Sequence, residues 1–125
     1  MLPIYKLITT QLKVLNIPCY ADLYPKALAD SKVYPHIIYN FPNTFTANFA
    51  DLNQMEIDIM DNKTSMVEIE TISKSIDDIF KRLLVNNSEM FVKTYRNAPY
   101  RLKLDEEGTG IQRRQLRYVV KAYYK

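Results

Sequence analysis

Glycine is nearly missing from this chain of 125 residues: there are two, Gly108 and Gly110, one residue apart. Their scarcity excludes flexible glycine-rich linkers and leaves one place for a glycine-built phosphate loop. That place does not qualify. Gly108-Thr109-Gly110 runs into Ile111-Gln112-Arg113, with no Lys-Ser/Thr and no helix start, so it reads as a turn. Cysteine is limited to Cys19, which rules out an internal disulfide and suits a reducing compartment. A lone cysteine without a histidine partner reads as a small buried apolar residue. His36 is the single histidine, with no second histidine or cysteine at metal spacing, so its reading is structural or exposed rather than ligand or base. Tryptophan is absent. No apolar run approaches a bilayer span, and Met1-Leu2-Pro3-Ile4-Tyr5-Lys6 lacks a basic stretch followed by an apolar one. The expectation is a protein without a membrane segment or a visible secretion signal. Serine and threonine are present, but no nucleophile elbow is. No set of residues stands at catalytic spacing, and no cofactor is implied.

What is present is an ordinary globular composition. Hydrophobic residues make up 47% and charged residues 25%, enough for one core, and no linker divides residues 1–125 into two domains. Tyrosine is plentiful at ten residues, which suits either interfaces or plain strand preference. The net charge of +3 is too small to imply nucleic acid by itself, but it is unevenly spread. Residues 1–50 carry four basic and two acidic side chains, residues 51–92 four and nine, and residues 93–125 nine and three. An acidic middle and a basic end can neutralise each other within one subunit or meet between subunits.

Periodicity sets the elements. Ile4, Leu7, Ile8, Leu12 and Leu15 fall on one face of a helix over 2–16, with Pro3 in its first turn and Asn16 and Pro18 ending it. Residues 19–35 form a connector with a short strand at Cys19–Leu23 and one helical turn at Lys26–Ala29. His36–Phe41 reads as a strand broken by Pro42. Residues 42–53 read as a long hairpin loop or a strand extension exposing Phe45 and Phe49. Gln54–Met60 alternates, with Met55, Ile57 and Ile59 inward. Ser65 and Glu68 form a capping box for a long helix whose stripe is Ile69, Ile72, Ile76, Ile79, Phe80 and Leu83. Met90–Tyr95 is a strand, interrupted at Asn97-Ala98-Pro99 and resumed at Tyr100–Leu104 with Arg101 and Lys103 outward. The predicted fold is α+β: an antiparallel sheet of about four to five strands on an N-terminal helix and one long central helix.

The last strand carries the functional question. From Ile111 to Tyr124, Leu116, Tyr118, Val120, Ala122 and Tyr124 point one way. Arg113, Gln115, Arg117 and Lys121 point the other, with Val119 and Tyr123 breaking the polar series. Pairing with Arg101 and Lys103 across a hairpin would merge these cations into one patch, which repels itself unless something acidic covers it. Water, nucleic acid and an acidic protein surface are all possible covers. Single-strand binders interleave exposed aromatics with basic residues, and here most aromatics fall on the other face, Tyr123 excepted. The acidic stretch 51–78, including Glu56 and Asp58, supplies a protein counter-surface, so protein contact is the preferred reading. Glu56 and Asp58 as a carboxylate pair for acid–base chemistry or a hard metal have no supporting residues. Asp77-Asp78 reads as plain surface.

The layout resembles the tail-terminator, or tail-completion, proteins of long-tailed bacteriophages. The resemblance spans nearly the whole chain. It rests on the opening helix, Tyr34-Pro35-His36-Ile37-Ile38-Tyr39, and the Gln54–Met60 strand running into the Thr64–Leu84 helix. It closes on the glycine-containing turn before Arg113-Arg114-Gln115-Leu116-Arg117-Tyr118 and the strand ending in Tyr123-Tyr124. The match is one of order and texture, and the family brings no catalytic residues. It implies a structural virion protein, assembled in the host cytoplasm, that caps the tail tube as a hexameric ring. Its partners would be itself, the tube protein, a head-side connector or collar protein, and the last sheath ring if the tail contracts. Headless, tail-like bacteriocins end in such a ring too. Nucleic acid would meet it only by passing through the ring.

Overall fold

A computed structural model describes residues 2–125. The chain runs α1 (Leu2–Lys13), β1 (Cys19–Ala21), a 3-10 helix (Lys26–Ser31), β2 (His36–Ala47), β3 (Ala50–Asp61), α2 (Val67–Phe80), β4 (Leu84–Asn86), β5 (Met90–Lys103) and β6 (Gln112–Tyr124). The class is α+β, as the pattern predicts. The sheet is a curled, six-stranded one in the order β1-β2-β3-β6-β5-β4. It is mixed rather than antiparallel throughout, because β1 runs parallel to β2 while every other neighbour is antiparallel. Parallel strands need a crossover of about a dozen residues, and the 22–35 connector with its 3-10 helix supplies one.

Alternation fixes what each face of the sheet holds. Ile37, Tyr39, Met55, Ile57, Ile59, Leu116, Tyr118 and Val120 are fully or almost fully buried on one face. Ile4, Ile8 and Leu12 of α1 and Ile69, Ile72, Ile76 and Phe80 of α2 join the same core. Both helices therefore cover one face only. The second face carries His36 and Ile38 of β2, Glu56, Asp58 and Met60 of β3, the odd-numbered residues 113–123 of β6, and Phe91, Lys93 and Tyr95 of β5. The 22–35 connector covers one corner of it, where Tyr24 and Tyr34 flank the buried His36 ring at 4.8 and 4.9 Å. Burial lowers the His36 pKa, and its Nδ1 lies 2.9 Å from the Val33 carbonyl oxygen. It is a structural histidine.

Four local expectations are decided or changed. Of the two readings of residues 42–53, the strand extension holds: they are the distal half of a β2–β3 hairpin, paired out to Ala47 and Ala50 across a one-residue bulge near Pro42. The capping box does not form. Met66 is the cap residue, Ser65 Oγ accepts the Val67 N–H at 3.2 Å, and Glu68 reaches Lys63 at 2.8 Å instead. The long helix stops at Phe80, because Thr94 draws the chain onto β5. Its hydroxyl hydrogen-bonds the Phe80 carbonyl and accepts the Leu83 N–H, and its own N–H donates to the Leu83 carbonyl. Residues predicted as the helix end thereby become β4, the added edge strand.

The fourth change is a wide bulge in β5. Arg96 pairs with Tyr118 and Arg101 with Leu116, so the four residues Asn97–Tyr100 oppose Arg117 alone. In a regular strand, residues five apart face opposite ways. Here the three extra residues return Arg101 and Lys103 to the helix-covered face.

Candidate interaction surfaces

That bulge divides the predicted cationic patch between the two faces of the sheet. On the helix side, Arg101 reaches Glu70 of α2. Lys103 lies 3.7 Å from Asp105. Between them sits Arg114, 1% exposed, whose Nε donates to Glu70 at 2.7 Å and whose Nη1 donates to Asp105 at 2.7 Å. Burial alone would raise the Glu70 pKa, but the Arg114 hydrogen bond and the Arg101 charge outweigh it and hold the carboxyl below its usual range. Asp105 is held low as well, first by the Arg113 N–H that it accepts. Arg114 is absent from the predicted site, yet its signal was in the sequence: it stands two residues before Leu116 and so in the inward phase of β6.

A second ionic unit stands beside it. Asp77, read as plain surface, accepts from Arg96 Nε at 3.1 Å and from the Tyr118 hydroxyl at 2.8 Å. Burial would raise its pKa, but the Arg96 and Tyr118 hydrogen bonds lower it. The Tyr100 ring lies 4.0 Å from the Arg96 guanidinium, a cation–π contact inside the bulge. Asp77, Arg96 and Tyr100 line, with Glu70 and Arg101, a groove of about 350 Å³ between α2 and β5. Its arginines and its Glu70 and Asp77 carboxylates satisfy one another.

On the uncovered face, the predicted acids and bases meet within one subunit. Arg113 donates to Asp58 through Nε at 3.2 Å and Nη2 at 3.1 Å, and Gln115 donates to the same oxygen at 3.1 Å. Arg117 donates to Gln115 at 3.0 Å and lies 3.6 Å from Glu56. The acidic strand that sequence offers as a partner's counter-surface is thus a neighbour in the same sheet.

Further along this face the neutralisation ends. Lys93 and Lys121 lie directly opposite each other on β5 and β6. Neither pairs with a carboxylate among the described residues. Phe91, Tyr95 and Tyr123 share the face with them, and Lys121 Nζ sits 5.4 Å from the Tyr123 ring centre. The interleaving of cations and aromatics that sequence placed on opposite faces is therefore partly present.

Phe45 is 53% exposed near the tip of the β2–β3 hairpin, and Phe49 is 99% exposed at the tip itself. Asn48 and Phe49 form its two-residue turn, with φ of 49° and 67°. Turns with two positive φ angles ordinarily take Asn-Gly, and Phe49 occupies the glycine place. At the other edge of the sheet, Leu83, Leu84 and Tyr95 line an open cavity of about 250 Å³. Leu84 is 65% exposed.

Cys19 is part-buried, and burial pushes its thiol up to about 11. No group of three or more His, Cys, Asp or Glu side chains among the described residues stands at metal-binding geometry. No described helix is long and apolar enough to cross a membrane. No protein-family model matches the chain, and no curated protein matches it either.

Proposed function

We propose that the protein is a structural virion component that caps the head-proximal end of a phage or phage-like tail tube as a ring. In that role it stops tube polymerisation and offers a joint to the head-side connector or collar. The observation that carries the reading is the asymmetry of the subunit. One sheet face lacks a helical layer, one edge ends in an exposed Phe-tipped hairpin, and the other edge holds an open apolar cavity. Unlike surfaces at two edges suit heterologous contacts, and heterologous contacts close rings. The role requires no chemistry beyond contact, and it locates the protein in the tail after assembly in the bacterial cytoplasm. The partners would be further copies of this chain, six by the family resemblance, then the tube protein, the connector, and sheath if the tail contracts.

The test is light scattering on the purified chain, followed by electron microscopy with purified tail tubes. Rings or decorated tube ends are expected. A chain that neither self-associates nor marks tube ends sinks the proposal.

A second reading has one observation behind it. Lys93 and Lys121 lie among Phe91, Tyr95 and Tyr123 on the uncovered face, which suits a single-stranded nucleic acid. It predicts affinity that falls steeply with salt and is lost in Lys93→Ala/Lys121→Ala. Absent or salt-insensitive binding removes it.

A further inference from the structure

Phe49 is the most anomalous residue in the fold. It is 99% exposed and holds φ of 67°, a conformation that costs a bulky side chain about 1–2 kcal/mol and costs glycine almost nothing. Folding of the single subunit gains nothing from a phenyl ring there. Strain and full exposure at one aromatic point to a contact outside the subunit.

The cavity at the β4–β5 edge has the complementary character. Its walls are Leu83, Leu84, the Tyr95 ring and the alkyl stems of Lys81, Arg82 and Lys93. Its volume of about 250 Å³ exceeds the roughly 150 Å³ that accommodates a benzene ring. Among the described residues, Arg82 and Lys93 on its rim have no carboxylate partner, and neither does Asp51 beside the hairpin tip a cationic one. Shape, polarity and residual charge therefore match between two parts of the same chain. Phe49 does not fill its own subunit's cavity, since the ring stands in solvent.

We propose that the Phe49 tip of one copy seats in the Leu83–Leu84–Tyr95 cavity of the next, with Asp51 facing Arg82 and Lys93. The occupant is a second copy of this chain. The contact is head-to-tail, so each subunit donates one tip and accepts another, and it rests on the ring reading given above.

The experiment uses the full chain in a Cys19→Ala background. Asn48→Cys/Lys81→Cys, which keeps the Phe49 ring and the Leu84 wall, should give a ladder of covalent oligomers on denaturing gels when treated with a short bismaleimide. Either single cysteine should stop at dimers. In parallel, Phe49→Gly and Leu84→Asp should fold normally by circular dichroism and weaken self-association at least about 30-fold by light scattering, the loss expected of an aromatic anchor. Wild-type protein that stays monomeric at high concentration overturns the contact. If wild-type rings form and tolerate both substitutions without the 48–81 ladder, the contact falls while the ring reading stands. If Phe49→Gly loses tube-end decoration but still forms rings, the tip contacts the tube, and the contact between copies is likewise overturned.

Discussion

Arg114 shows how much a single residue can be asked to do. Its guanidinium is buried beneath α2, and a buried cation is tolerated only when its donors are used. Two carboxylates and a backbone carbonyl use them. Truncation would leave Glu70 dependent on Arg101, and Asp105 on Lys103 and the Arg113 N–H, around a void. Arg114→Ala should cost about 1–3 kcal/mol in urea unfolding at pH 7, less than the loss of a partner from a fully buried pair, because Glu70 and Asp105 are 33% and 37% exposed and keep other donors. The same network sets an acid limit. Glu70 and Asp105 have pKa values below their unfolded values, so the stability they contribute is complete above the ordinary carboxylate range and is lost as pH falls through the depressed folded values. Wild-type protein should therefore lose stability progressively below about pH 5, and Arg114→Ala should show a shallower loss. A variant whose unfolding curves at pH 7 and pH 3 differ as much as the wild type's would mean that Arg114 does not hold these carboxyls low.

At the scale of elements, the chain was legible where one period governed. The α1 and α2 stripes, the Gln54–Met60 strand and the inward phase of β6 follow their sequence patterns. The errors fall where a long-range partner outweighs the local signal. Leu83 extends the helical stripe in the sequence, but two Thr94 side-chain hydrogen bonds across to β5 end the helix at Phe80. Asn97-Ala98-Pro99 reads as a break in a strand. It is a bulge within one, and no local pattern states how many residues a bulge absorbs. That uncounted shift misplaced Arg101 and Lys103. The helix start allows a measurement. A capping box makes Ser65 and Glu68 equal partners, whereas here only Ser65 binds a backbone N–H and Glu68 makes an exposed ion pair. Ser65→Ala should cost about 0.5–2 kcal/mol. Glu68→Ala should cost no more than the roughly 1 kcal/mol ceiling of exposed pairs. Equal losses near the top of the capping range would restore the capping box.

For the whole molecule, the separation of neutralised from free charge matters more than the net value. Arg113 and Arg117 already face Asp58 and Glu56, so reversing them would damage the sheet before it tested any partner. Lys93 and Lys121 are different. Like charges directly opposite on neighbouring strands are destabilising, and among the described residues no carboxylate offsets that here; only the Tyr123 ring lies against Lys121. A face that holds such a pair among Phe91, Tyr95 and Tyr123 is poorly arranged for water and well arranged for an acidic, partly apolar surface. Lys93→Glu alone should raise the melting temperature slightly, since it converts repulsion into a cross-strand ion pair. Lys93→Glu/Lys121→Glu should melt close to wild type, since one repulsion replaces another. Both variants should lose ring formation or tube-end decoration in electron micrographs, and the double variant should lose it more completely. Arg113→Glu, by contrast, should lower the melting temperature because Asp58, whose side chain is 13% exposed, is left without its cation. Normal decoration by the double lysine variant would show that the uncovered face serves neither neighbour nor tube, and would also count against the facing of Asp51 and Lys93 at the β4–β5 edge, where Lys93 lines the cavity.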